Sequence, residues 1–248
     1  MKPILKIKNL KKIYHTKRGE TLAVKDFSYD LNKEDFVSIV GPSGCGKSTI
    51  LSILCGLDQK SDGIIQYDPN IRIGYMLQQD CLFEWLTILD NCLLGLKVEH
   101  RLNEGNKKYV IELLEKYGLK DFIHSYPANL SGGMRQRVAL VRTLATKPDI
   151  LLLDEPFSAL DYQSRLAVSD DVFKIIKNEK KSAIMVTHDI SEAISCSDLV
   201  IVLTERPCTI KSIYPIQLTN ASTPIENRKC KEFADYYDKI WKDLDFHV

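Results

Sequence analysis

A chain of 248 residues with 44% hydrophobic side chains is long enough to bury a sizeable core, as one large domain or as a domain carrying an inserted subdomain. Its 34 Lys and Arg balance 33 Asp and Glu, and the formal charge of +1 leaves no basic surplus for nucleic acid or an anionic membrane. The longest apolar stretch, near Leu199 to Leu203, is far short of the roughly 20 residues of a spanning helix, so any membrane role must use a partner chain.

From the N-terminus, Met1 to Leu10 alternates lysine with Ile4, Leu5, Ile7 and Leu10 and lacks the continuous apolar core of a signal peptide, which predicts a cytosolic protein. Seven cysteines form an odd set with no C-x-x-C pair, which argues against zinc and disulfide frameworks. Phe36 to Val40 is the first apolar run of strand length, and Ile50, Leu51, Ile53 and Leu54 imply a helix soon after it. From about Glu84 to Leu144 the texture is helical, with Val110, Leu113, Leu114 and Tyr117 at helical spacing and Gly118 as a stop. Ile150 to Leu153 and Ala183 to Val186 are two further buried strands, joined by a crossover helix that puts Val172, Phe173 and Ile176 on one face. Pro207, Pro215 and Pro224 segment the C-terminal tail, whose aromatic and charged end from Phe233 to Phe246 reads as helical. The pattern is α/β with a helical insertion.

Five segments at strand and helix ends carry chemistry. Gly41 to Thr49 reads G-P-S-G-C-G-K-S-T between the first strand and its helix, matching G-x-x-x-x-G-K-[ST]. In such a loop the NH groups of Gly41, Pro42's neighbours, Ser43, Gly44, Cys45 and Gly46 encircle phosphate, Lys47 reaches the outer phosphates, and Ser48, beside Thr49, offers a hydroxyl to magnesium. A chance match in a chain of this length has odds on the order of one in a hundred, and the flanking strand and helix lower them further. The second buried strand closes on Asp154 and Glu155. One carboxylate can hold Mg²⁺ and the other can polarise an attacking water, with Glu155 the candidate base; a solvated acidic loop is the plainer reading only if the glycine-rich loop is ignored. The third strand closes on Thr187, His188 and Asp189, from which His188 can donate to a γ-phosphate or to the water. Gln78, in M-L-Q-Q-D, can ligate magnesium or water, with Gln79 a competitor for that role. Finally, Leu130 to Arg137 reads L-S-G-G-M-R-Q-R, in which Ser131 is an ordinary helix cap or, with Gly132 and Gly133, a second phosphate-facing surface.

The order of these motifs resembles the ATP-binding-cassette ATPases over essentially the whole chain. The glycine-rich loop Gly41 to Thr49, the Q-loop at Gln78, the signature at Leu130 to Met134, Walker B at Ile150 to Glu155, the D-loop Ser158 to Asp161 and His188 follow one another at compatible distances. The resemblance implies a P-loop NTPase (RecA-like) core with an antiparallel β subdomain and an inserted α-helical subdomain. The core would be residues 1–83 and 146–206, the helical part 84–145 and the tail 207–248. It implies ATP and Mg²⁺, with catalysis by Glu155, His188 and Gln78 and metal contacts from Ser48, Gln78 and Asp154. It also implies a head-to-tail homodimer in which Ser131, Gly132 and Gly133 act across the interface, with Asp161 of the D-loop among the nucleotide-binding residues. Tyr14 is either the aromatic that stacks on adenine or a residue packed on an edge strand.

Within that family the chain looks most like the nitrate, sulfonate and taurine importers, on L-F-E-W-L-T-I-L-D-N from Leu82 to Asn91, L-S-G-G-M-R-Q-R-V-A-L, T-E-R-P near Thr204 and the aromatic tail. It departs from them at Glu84, where proline is usual, and at Cys208, where glycine is usual. The implied partners are an integral membrane permease, touched by Phe83, Trp85 and Leu86, and indirectly an extracytoplasmic solute-binding protein, with no nucleic acid. Trp85 has a second reading, as core of the helical part. An exporter or lipoprotein-release ATPase, a soluble cassette protein acting on ribosomes or DNA, and a non-hydrolysing switch are the alternatives. The predicted location is the inner face of the cell membrane.

Overall fold

The structure is a computed structural model that describes residues 3–17 and 19–244. Met1, at the start of the segment read for a signal peptide, and Phe246, at the end of the expected terminal helix, lie outside the described residues.

Two long antiparallel strands open the chain, β1 (Leu5–Thr16) and β2 (Gly19–Leu31), followed by β3 (Phe36–Val40) and the helix α1 (Lys47–Leu54). The alternation of Leu5 and Ile7 with lysines is a half-buried strand pattern. Its period breaks at Asn9, which has φ 49°, and this bulge returns Leu10 to the buried face with Leu5 and Ile7. β4 (Asp62–Tyr67) pairs with β1 on its outer side and crosses that bulge through Gly63. Gly63 has φ +91°, and a Cβ there would lie 2.4 Å from the carbonyl oxygen of Asn9. Backbone cannot yield as a side-chain tip can, so Gly63→Ala is expected to lose about 1–3 kcal/mol of stability. A thermal midpoint equal to that of the wild type would contradict this.

β5 (Ile73–Met76) leads into the helical part: α2 (Ile88–Val98), α3 (Glu104–Lys116) and α4 (Gly132–Ala145), with 3-10 turns at Lys120–Phe122 and Pro127–Asn129. α3 stops where the sequence predicts, at Gly118 with φ +73°. The chain returns as β6 (Ile150–Asp154), α5 (Tyr162–Asn178), β7 (Ser182–Val186), α6 (Ile190–Cys196), β8 (Leu199–Leu203) and β9 (Cys208–Pro215), and finishes with α7 (Pro224–Asn227) and α8 (Glu232–Asp243). The apolar run Leu199 to Leu203 is thus a sheet strand, and among the described residues no helix is long and apolar enough to cross a membrane.

Among the described residues nine strands join one sheet in the order β4-β1-β2-β9-β8-β3-β7-β6-β5. β3, β5, β6, β7 and β8 run parallel, and the largely apolar β3, β6 and β7 are buried at every residue, as parallel strands between helices must be. β1, β2 and β4 form the antiparallel part, which β2 attaches to β9 by a short parallel register. One apolar cluster fuses α2, α3, α4 and α5 to one face of the sheet; a second packs α1 against the antiparallel strands; a third seats α6 and α8 on β8. Because β3 lies between β7 and β8, and β7 between β3 and β6, the carboxyl ends of all three chemistry-bearing strands meet at one edge.

Candidate active site

Gly41 follows β3 at the point where the loop must pass close to β8: a Cβ there would sit 3.1 Å from Leu203 Cβ and 3.0 Å from Cys45 Sγ. Gly44 and Gly46 take φ +71° and +128°, conformations that turn the backbone in before α1 starts at Lys47. Lys47 is only 6% exposed, and its ammonium donates to the carbonyls of Gly41 at 2.8 Å and Pro42 at 3.0 Å, bracing the loop from inside. Cys45 presents only its backbone, since its side chain is buried in the core behind the loop. Cys208 occupies the same layer, its Sγ 3.2 Å from where a Gly46 Cβ would be, and burial pushes its thiol up to about 12. That departure from glycine therefore fills space beneath the loop.

A cleft of about 720 Å³ opens over this loop, lined by Gly41, Pro42, Ser43, Gly44, Gly46, Lys47, Ser48, Thr49, Gln78, Glu155 and His188. At its floor the Ser48 hydroxyl donates to Asp154 Oδ1 at 2.9 Å, and the Tyr75 phenol donates to Oδ2 at 3.0 Å. Burial raises the Asp154 carboxyl above its ordinary range; the Ser48 and Tyr75 hydrogen bonds oppose that. A hydroxyl and a carboxylate converging on one point are hard oxygen donors of the kind Mg²⁺ accepts. Among the described residues no group of three or more His, Cys, Asp and Glu could hold a metal ion.

The strand ladder ends at Asp154, and Glu155 turns out of it with φ 44° while its N–H still donates to Val186 at 2.9 Å. On its Oε2, two groups that are far apart in sequence meet: Gln78 Nε2 donates at 3.2 Å and His188 Nδ1 lies at 3.1 Å. Gln78, not Gln79, lines the cleft, and its amide also donates to Ser158 Oγ at 3.2 Å.

Ser131, Gly132, Gly133 and Asp161 do not line the cleft. Ser131 caps α4 by accepting the Met134 N–H at 3.3 Å, and Asp161 caps α5 by accepting those of Gln163 and Ser164 at 3.1 Å. Gly132 and Gly133 allow α4 to approach α5 closely, since added Cβ atoms would lie 3.2 Å from Leu160 and 2.9 Å from Val168. Tyr14 also lies outside the lining; its hydroxyl donates to Asp58 at 2.8 Å and to Thr49 at 3.4 Å, and Lys12 Nζ sits 4.6 Å from its ring centroid. β4 pairs β1 no further than Lys11, so at Tyr14 the strand has β2 alone beside it, as an edge does, and the Tyr14 ring is exposed rather than packed.

The segment after Gln78 is tied to α4. Arg135 grips Asp80 with two hydrogen bonds at 2.8 and 3.0 Å and reaches Glu84 at 2.8 Å, while Arg142 donates to the Cys81 carbonyl at 2.7 Å. Glu84, the departure from proline, thus adds a second carboxylate to the Arg135 grip. Trp85 is 72% exposed and lies against Phe83 with ring centroids 5.0 Å apart, so it is not core of the helical part. Tyr75, Arg165 and Glu192 make contacts that sequence reading did not single out. Only the pairing of β5 with β6 places Tyr75 beside Asp154, and no motif marks it.

The sequence pattern of the ABC transporter family matches residues 24–158. The chain is 47% identical to the uncharacterized ABC transporter ATP-binding protein YtlC of Bacillus subtilis (strain 168), with 93% of this chain and 92% of that one covered. It is 36% identical to the nitrate import ATP-binding protein NrtD of Synechocystis sp., covering 95% and 93%. In three dimensions it resembles the dimeric post-hydrolysis state of the ATP-binding cassette MJ0796 bound to ADP and Pi, with a TM-score of 0.73, 31% identity, and 86% and 99% of the two chains covered.

Proposed function

Because the chain belongs to the ABC transporter ATPases and hydrolyses ATP, we propose that it does so as the energising subunit of an importer for a small solute of the nitrate, sulfonate or taurine kind. The relative NrtD, an import protein by name, and the exposed Phe83 and Trp85 beside the Gln78 loop support that reading, with a membrane permease as the partner at those aromatics. The proposed arrangement has the strand core 1–83 and 146–206, a helical part 84–145 and a tail 207–248. The protein would sit on the inner face of the membrane.

One observation carries the mechanism: Gln78, Glu155 and His188 converge on a single carboxylate oxygen at the mouth of the glycine-rich cleft. In our reading the NH groups of residues 43–49 and the Lys47 ammonium hold the β- and γ-phosphates. Ser48 and Asp154, joined by Gln78, would hold Mg²⁺, which when bound neutralises phosphate charge. Glu155 accepts a proton from a water held by Gln78 as that water adds to the γ-phosphorus and the bond to the β-phosphate oxygen breaks, leaving ADP and phosphate. His188 donates a hydrogen bond to the γ-phosphate oxygens, where charge develops.

Ser131 to Gly133 and Asp161 stand outside this cleft, so each cleft is completed by the same residues of a second copy. Ser131→Arg puts bulk and charge on that surface. It is expected to leave ATP binding to the monomer unchanged but to abolish ATP-dependent dimers and lower turnover by about a hundredfold. Wild-type turnover in this variant would refute action across an interface. Copurification of the tagged chain with a membrane permease and its solute-binding protein tests the transport role; recovery only with ribosomes or DNA would overturn it.

A further inference from the structure

The turn that carries His188 is bracketed on both sides. The Thr187 hydroxyl donates to Glu192 Oε2 at 2.8 Å and accepts the Asp189 N–H at 3.0 Å, and Asp189 Oδ1 accepts the Glu192 N–H at 3.1 Å to cap α6. His188 is the residue left between these ties, 55% exposed and turned toward Glu155. The bracket closes on one carboxylate, Glu192, which is 2% exposed.

A buried carboxylate is tolerated only with partners, and here Arg165 approaches from another element. From α5, Arg165 Nε lies 3.7 Å from Glu192 Oε1 and Nη1 lies 3.6 Å from Asp189 Oδ2, while Nη2 donates to the Leu160 carbonyl at 3.1 Å. From the C-terminal segment, Arg228 acts on the same carboxylate electrostatically. That segment is pinned nearby, since Asn227 Nδ2 donates to the Ser195 carbonyl at 2.8 Å and the Ile225 N–H donates to Asp170 at 3.2 Å. Glu192 Oε1 and the Arg165 Nε that faces it are both buried without a hydrogen-bond partner, two of the five such side-chain atoms among the described residues.

We propose that Glu192 is a positioning residue for His188, acting through Thr187 and Asp189, that Arg165 holds its carboxylate from α5, and that the charge of Arg228 tunes it, which brings the C-terminal segment into control of hydrolysis. The inference rests on the reading of His188 as the group that meets the γ-phosphate.

The charge of this group depends on pH near neutrality. Burial, then the neighbouring Asp189, pushes Glu192 up to about 7, against the Thr187 hydroxyl, Arg165 and Arg228. The other ionisable groups around it are Asp170 on α5, paired with Lys174 at 2.7 Å, and the Cys196 thiol on α6, pushed by burial up to about 12. The folded protein holds this proton more tightly than the unfolded chain, whose value is the ordinary 4.5, so the group's stabilising contribution is full at low pH and is lost as pH rises toward about 7. The carboxylate that Arg165 faces forms over that same rise. Activity and stability therefore move in opposite directions.

Glu192→Gln keeps the shape and an acceptor for Thr187 but removes the charge. In the full-length chain it is expected to lower kcat by about tenfold at pH 8 with KM for ATP unchanged, while its thermal midpoint at pH 8 equals or exceeds that of the wild type. Arg228→Gln leaves the bracket intact and is expected to move the acid limb of the kcat profile upward by about one pH unit. Wild-type kcat in Glu192→Gln, or a loss of kcat matched by a loss of thermal stability, would overturn the inference, as would an unmoved acid limb in Arg228→Gln. His188→Ala separates this inference from its premise: full turnover there refutes the role given to His188, whereas a slow His188→Ala beside a wild-type Glu192→Gln refutes the role of Glu192 alone.

Discussion

Glu155→Gln is expected to reduce kcat by about a hundred- to ten-thousand-fold, while ATP still binds and still drives dimer formation. The geometry explains why the two effects separate. Glu155 receives the Gln78 amide and faces His188 through one oxygen, and a glutamine side chain can turn its own carbonyl oxygen to the same two groups. The shape of the cleft mouth survives, and the phosphate-binding loop, which Glu155 does not touch, is unaltered. What disappears is the acceptor for the water's proton. Phosphate release measured beside light scattering in ATP reads both effects at once, and undiminished hydrolysis in this variant would remove Glu155 as the base.

Lys47→Ala is expected to weaken ATP binding by roughly ten- to a hundredfold, the effect of losing a charge-assisted contact of about 1.5–3 kcal/mol. Lys47 is nearly buried, and its ammonium rests on the Gly41 and Pro42 carbonyls, so it is held at the loop's centre before any phosphate arrives. Such preorganisation lets one cation serve two uses, bracing the loop alone and binding the outer phosphates in the complex. The variant also strips those two carbonyls of a donor, so its thermal midpoint belongs beside the ATP titration. Wild-type affinity together with wild-type turnover would defeat the assignment of the loop.

The chemistry was legible where it is local. Gly41 to Thr49 needs a strand, a tight glycine-rich turn and a helix within a short span, and β3 and α1 supply them at the expected places. The buried strands were legible too, because Phe36–Val40 is apolar but for Ser38 and Ile150–Asp154 is apolar up to its closing carboxylate, as suits strands covered on both faces. β1, β2 and β4 were not. Their alternation is interrupted by the bulge at Asn9, and a strand with one wet face gives a weaker signal than a buried one. Tyr75, Arg165 and Glu192 escaped notice for a different reason: each is unremarkable in its own segment and gains a role only from a residue on another element.

By itself, then, the order of residues determined the kinds of chemistry present: a phosphate loop, two carboxylates, a histidine, a glutamine and a second glycine-rich turn. Those demands are met within a few consecutive residues, where backbone geometry and side-chain type are coupled directly. Tertiary structure alone decided which of them meet. Strand order put the ends of β5, β6 and β7 side by side and so delivered Gln78, Glu155 and His188 to one oxygen, while leaving Ser131 to Gly133 and Asp161 outside the cleft. It also buried Glu192 beside Arg165, 27 positions away in the chain. Contacts of that range are set by how sheets and helices pack, a choice that no local pattern encodes.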